Sequence, residues 1–120
     1  MNIEEFREFC LSKKWVVECF PFDESILVYK LGDKIFALAD INDNPLEINL
    51  KCEPEKAIEL RERYSFVKPG YHMNKKHWNT IVADEYSNNS LIFEWINDSY
   101  NLIFNSLSNK IKSNLLNSDK

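Results

Sequence analysis

Four short runs rich in β-branched and aromatic residues crowd positions 15–50: WVVECF, SILVYKL, KIFALADI and LEINL. Such residues suit the pleated, half-buried surface of a sheet. The separators are turn formers: Pro21 and Asp23, then Gly32-Asp33, then Asn42-Asp43-Asn44-Pro45. LVYKLGDKIFAL reads as a hairpin whose tight turn uses Gly32 for a positive φ. The segment is therefore expected to form a four-stranded antiparallel meander.

Helices flank it. Asn2 with Glu5 three residues on has the spacing of a capping box, and Ile3, Phe6 and Cys10 keep helical period, so a first helix is expected from about 3 to 13. A second opens at Pro54, which fits a first helical position; Glu53 and Glu55 favour its positive end, and Arg61 and Arg63 its negative end. Pro69-Gly70 forces a turn, and HWNTIVADEY supplies one or two further strands. Ser87-Asn88-Asn89-Ser90 can cap a last helix over about 90–106, whose apolar residues cover much of its circumference. The order α-β-β-β-β-α-β(-β)-α implies an α+β fold, an antiparallel β-sheet with helices packed on one face. One domain is expected over 1–107, with a frayed C-terminal tail at 108–120.

The 120 residues suffice for a core without metals or disulfides. Cys10, Cys19 and Cys52 are odd in number and lack ligand spacing, so they read as reduced thiols of a cytoplasmic protein. No apolar run approaches the roughly 20 residues of a membrane helix, and no leader pattern opens the chain. A monomer is the simpler expectation, with a dimer left open by the crowded last helix.

Net charge is −4, but the charge is uneven. Between 61 and 81, Arg61, Arg63, Lys68, Lys75 and Lys76 face Glu62 alone, a net of +4 that leaves −8 for the rest. Within this island KPGYHMNKKHWNTI, residues 68–81, concentrates donors and rings. Lysines there can meet phosphates, His72 and Asn79 can hydrogen-bond backbone or base edges, and an exposed Tyr71 or Trp78 could stack on a base. His72 and His77, five apart, do not share a helical face, so a metal site is not expected. No GxSxG, HExxH or Gly-rich phosphate loop is present, which argues for a noncatalytic protein without cofactors. Cys52 beside Lys51 is the one candidate for an activated thiol.

In order, MNIEEFREFCLS, FPFDE, VYKLGDKIFAL, LKCEPEKAIELRERY, PGYHMNKKHWNT and NDSYNLI resemble the MmcQ/YjbR-like family of small bacterial proteins over about residues 1–107. The resemblance implies a frataxin-like (CyaY-like) arrangement, also described as a double wing. The family's usual DNA-binding label rests on analogy with a phage transcription-factor domain. No catalytic residue is carried over. The expected nucleic-acid or ligand surface comprises Lys51, Lys68, Tyr71, His72, Asn74, Lys75, Lys76, His77 and Asn79. DNA is the first partner it suggests; the alternative is a small anionic ligand or acidic protein segment held by Tyr71, His72, His77 and Asn79.

Overall fold

A computed structural model describes residues 1–70 and 73–118. Helix α1 (Ile3–Leu11) starts from the expected reciprocal cap: Glu5 N donates to Asn2 Oδ1 at 2.8 Å, and Asn2 N to Glu5 Oε1 at 3.2 Å. It ends two residues short of the expected boundary. The Lys13 ammonium donates to Asn97 Oδ1 of a later helix, so it serves tertiary docking as well as the helix end.

The meander forms as read: β1 (Val16–Cys19), β2 (Ile26–Leu31), β3 (Lys34–Asp40) and β4 (Leu46–Lys51) pair in sequence, each antiparallel to the next. Gly32 turns the β2–β3 hairpin at φ +64°. After α2 (Pro54–Arg63), β5 (Val67–Pro69) takes the sheet edge and β6 (Trp78–Ala83) inserts between β4 and β5. The six strands run in the order β1-β2-β3-β4-β6-β5. Two strands thus follow the second helix: β6 falls in the expected HWNTIVADEY run, whereas β5 lies ahead of it and ends at Pro69, before the turn.

The main core lies between one sheet face and the helices. Phe6 and Cys10 of α1, Leu60 of α2, and Ile92, Trp95, Ile96 and Ile103 of α3 (Asn89–Ser106) bury against Tyr29, Phe36, Ile48, Leu50 and Ile81. The surplus apolar residues of α3 meet the chain's own neighbours. Phe93 packs on Phe9 at 4.4 Å between centroids, and Phe104 stacks on Trp15 at 5.8 Å. The opposite sheet face carries a separate small cluster of Val28, Leu38 and Trp78, flanked by Met73. Helices therefore occupy one face.

The tail differs from expectation. Residues 109–118 form α4 (Asn109–Ser118), with Ile111 and Leu115 packed on the core one helical turn apart. Ser108 Oγ accepts the Ile111 N–H at 3.2 Å, supplying a start that the weak periodicity concealed.

Candidate functional site

Strand β4 alternates strictly: Leu46, Ile48 and Leu50 are buried toward the helices, while Glu47, Asn49 and Lys51 turn the other way. Its partner β6 has no such pattern, because all six residues from Trp78 to Ala83 are buried. Register decides its facing. Asn79 lies opposite Leu50, on the helix side, and Thr80 lies opposite Asn49.

The expected surface is consequently split. Asn79 is 2% exposed and cannot reach a base edge, and Trp78, at 8%, is a core residue rather than a stacking platform. Lys68 projects from edge strand β5 and borders an open-face groove of about 290 Å³ that also contains Asp40, Asp43 and Glu47. Those three carboxylates offset the attraction Lys68 would exert on phosphate. Lys75 and Lys76 are exposed on the turn before β6, and Asn74 shapes that turn: its carbonyl accepts the His77 and Trp78 amides, its side chain the Lys76 amide. Half-buried His77 fixes the turn to the β4–α2 junction, its carbonyl accepting Cys52 N–H at 2.7 Å. Tyr71 and His72 lie outside the described residues.

Asn79 instead belongs to a cavity of about 320 Å³ between α2, α3 and the sheet. Leu50, Leu60, Ile81, Trp95 and Leu102 give it apolar walls; Asp98, Asn101 and Asn105 come from α3, and Cys52, Glu53 and Lys56 from the start of α2 and the link before it. Lys51 borders it with its backbone, whose N–H donates to Ser99 Oγ at 3.0 Å; that hydroxyl in turn donates to Phe36 O at 2.6 Å. Fully buried Ser99 thereby anchors α3 to two strands beside the cavity.

The Asn79 carboxamide has a fixed orientation. Its Nδ2 donates at 3.2 Å to the carbonyl of Ala57, which can only accept, so its Oδ1 must be the other atom. Among the described residues, that Oδ1 is the buried side-chain atom left without a hydrogen-bond partner. Ala57 O also accepts Arg61 Nε at 3.2 Å, while Arg61 Nη2 donates to Lys75 O at 2.7 Å. One arginine therefore joins the cavity wall to the lysine-bearing turn.

Across the cavity mouth Lys56 Nζ of α2 lies 3.2 Å from Asp98 Oδ2 of α3. The hydrogen bond to Asp98 pushes the Lys56 ammonium above its ordinary pKa, keeping it charged. Cys52 is a half-buried thiol at a strand end rather than an activated one: burial raises its pKa, outweighing the opposing influence of nearby Lys56. A raised thiol pKa means less thiolate at neutral pH, hence slower nucleophilic attack. Cys10, inside the core, is pushed up to about 12. Iodoacetamide at pH 7.5 is therefore expected to label native Cys52 more slowly than the unfolded chain's thiols, as mapped by peptide mass spectrometry. Labelling of Cys52 at the unfolded rate would contradict this.

The same residues place the chain among known proteins. The family model described as YjbR matches residues 11–102, which includes β4, β6, α2 and most of α3. The chain belongs to the YjbR family. It is 37% identical over 107 residues to the uncharacterized protein YbdF of Escherichia coli O157:H7, covering 89% of this chain and 88% of that protein. Against the uncharacterized protein YjbR of Escherichia coli K12, identity is 32% over 107 residues, with 89% and 91% covered. The crystal structure of a Deinococcus radiodurans protein with a DUF419 domain superposes with a TM-score of 0.89 at 34% identity, covering 95% of this chain and 87% of that one. A Pseudomonas syringae protein gives 0.73 at 28% identity, covering 85% and 98%. These YjbR-family likenesses agree with the α+β architecture. No helix among the described residues is long and apolar enough to cross a membrane, and no cluster of three or more His, Cys, Asp or Glu among them could hold a metal ion.

Sequence reasoning missed Lys56, Asp98, Asn101 and Asn105 as cavity residues. The last three carry a faint signal: on a helix rich in apolar residues they recur at intervals of three and four, on one face.

Proposed function

We propose that this chain is a noncatalytic binding domain for a small polar molecule held in the cavity between α2, α3 and the β4–β6 pair. The observation that carries the reading is the cavity itself, about 320 Å³, where apolar walls meet the polar residues Asn79, Asp98, Asn101 and Asn105. The surrounding chemistry supports binding rather than turnover: the cavity's thiol is held protonated, and no histidine lines the wall among the described residues.

The test is a thermal-unfolding screen of wild type and Asn79→Leu against a library of small polar metabolites. At a concentration one hundred times its Kd, a native-state ligand contributes about 2.7 kcal/mol of stability and raises Tm measurably. Leucine keeps the volume, and Ala57 O retains Arg61 as a donor, so the variant is expected to fold and to lose the shift. A library that leaves wild-type Tm unmoved would refute the reading.

DNA binding is a second reading, favoured by one observation. The Arg61–Lys75 bond brings the basic end of α2 against the turn that exposes Lys75 and Lys76. A fluorescence titration with labelled duplex DNA separates the two: salt-sensitive binding lost in Lys75→Ala/Lys76→Ala supports a nucleic-acid surface. No binding at low salt removes it.

A further inference from the structure

We infer that the groove on the open sheet face is a second small-molecule site, and that it takes a free α-amino acid with an apolar side chain. The carboxylate would meet Lys68 and Asn49, the ammonium Asp40 and Glu47, and the side chain Ile26 and Leu38, all of which line the groove. This site is separate from the cavity and does not depend on it.

Strand pairing fixes which way these side chains point. Lys68 is in register with Thr80, Thr80 with Asn49, and Asn49 with Leu38, a row across four strands whose members share one face. Leu38 packs in the open-face cluster, so that face is the one without helices. Two residues along from the Asn49–Leu38 pair, Glu47 and Asp40 stand on the same face of neighbouring strands, and Ile26 pairs with Asp40.

The acidic end asks for a cation. Carboxylates side by side on adjacent strands repel, and Asp43 on the following loop adds a third to the groove. Asp40 spends one oxygen on the Asn42 N–H at 2.9 Å, while Glu47 has no ion-pair partner among the described residues. An ammonium placed between them relieves the repulsion.

Lys68 asks for the opposite charge. Because β6 lies between β5 and β4, two strand spacings, about 10 Å, separate the backbones that carry Lys68 and Glu47. The two form no ion pair, and Lys68 has none elsewhere among the described residues. Thr80 Oγ1 donates to Asn49 Oδ1 at 2.6 Å, which leaves the Asn49 Nδ2 hydrogens for a further acceptor. A simple amine would leave Lys68 and Asn49 unanswered, and a simple carboxylate would face the acids. A molecule carrying both charges answers both ends.

The probes are leucine, N-acetylleucine, which lacks the ammonium, and leucinamide, which lacks the carboxylate. Binding to the full chain is followed by amide chemical-shift titration, which also locates the site. The expected result is binding of leucine with shifts along β4, β5 and β6, and at least tenfold weaker binding of both analogues. Lys68→Met should abolish the preference for leucine over leucinamide, and Glu47→Gln should reduce its preference over N-acetylleucine. The analogue comparison uses wild-type protein, so it holds even if a variant folds poorly. Leucinamide binding as well as leucine overturns the role of Lys68, and N-acetylleucine binding as well overturns that of the acids. Shifts confined to α2 and α3 overturn the site while favouring the cavity. Absence of binding by leucine, methionine and phenylalanine alike overturns the proposal and leaves the cavity reading untouched.

Discussion

Trp95→Ala is expected to lower Tm by about 10–20 °C. Removing a buried Trp side chain costs about 3–5 kcal/mol in lost burial and cavity formation, and each kcal/mol moves the midpoint of a domain this size by about 4 °C. Trp95 is 5% exposed and joins two other rings, Tyr64 at 5.2 Å and Phe66 at 5.8 Å between centroids. It thereby ties α3 to the segment connecting α2 with β5. Its removal would also open the ligand cavity, which it lines, so ligand affinity should fall even where the protein remains folded. Trp95→Phe, which retains a ring and most of the apolar area, should cost less than half as much. Circular dichroism melts of both variants check the ranking. A Trp95→Ala shift below about 5 °C, converted on the same scale, would mean that the aromatic cluster contributes little to holding α3.

The fold was legible because its signals are local. The Asn2–Glu5 cap, the Gly32 turn and Pro54 at a helix start each depend on neighbours within a few residues, and each stands where its chemistry placed it. The candidate site was not local. Asn79 belongs to a strand buried on both faces, so alternation along β6 cannot say which way it points; only pairing with Leu50 does. Lys56 and Asp98 meet across two helices 42 positions apart in the chain. A basic island, by contrast, is conspicuous in sequence whether or not its members converge. Here they divide between an open-face groove, an exposed turn and a helix end, while the unsatisfied atom lies on the opposite face of the sheet. The dense PGYHMNKKHWNT segment is partly structural in consequence: Gly70, Asn74, His77 and Trp78 build the turn and its anchorage, and Asn79 reaches the cavity.

Gly70→Ala tests that division, and about 3 kcal/mol of destabilisation is expected, at the upper end for an overpacked site. The sequence reads Gly70 as a turn former, but its constraint is space. An added Cβ would lie 2.9 Å from Trp78 Cβ, 3.0 Å from Trp78 O and 3.1 Å from Trp78 C. Two of those atoms are backbone, and neither strand can retreat easily: Gly70 N donates to Trp78 O at 2.9 Å, and the adjoining Pro69 is in register with Asn79. Gly32 is the contrast. A Cβ there meets Ile111 and Leu107 side-chain atoms that can rotate away, leaving chiefly the cost of about 1–2 kcal/mol for an L-residue at φ +64°. Displacing Trp78 also moves its neighbour Asn79, so Gly70→Ala should weaken cavity ligands as well as the fold, whereas Gly32→Ala should affect stability alone. Urea titrations measure the first effect and ligand-induced Tm shifts the second. A Gly70→Ala protein as stable as wild type would show that the close approach of residue 70 to Trp78 does not constrain β6. Lost stability with unaltered ligand affinity would show instead that the cavity is insulated from the turn, despite the Asn79–Ala57–Arg61–Lys75 chain of hydrogen bonds that joins them.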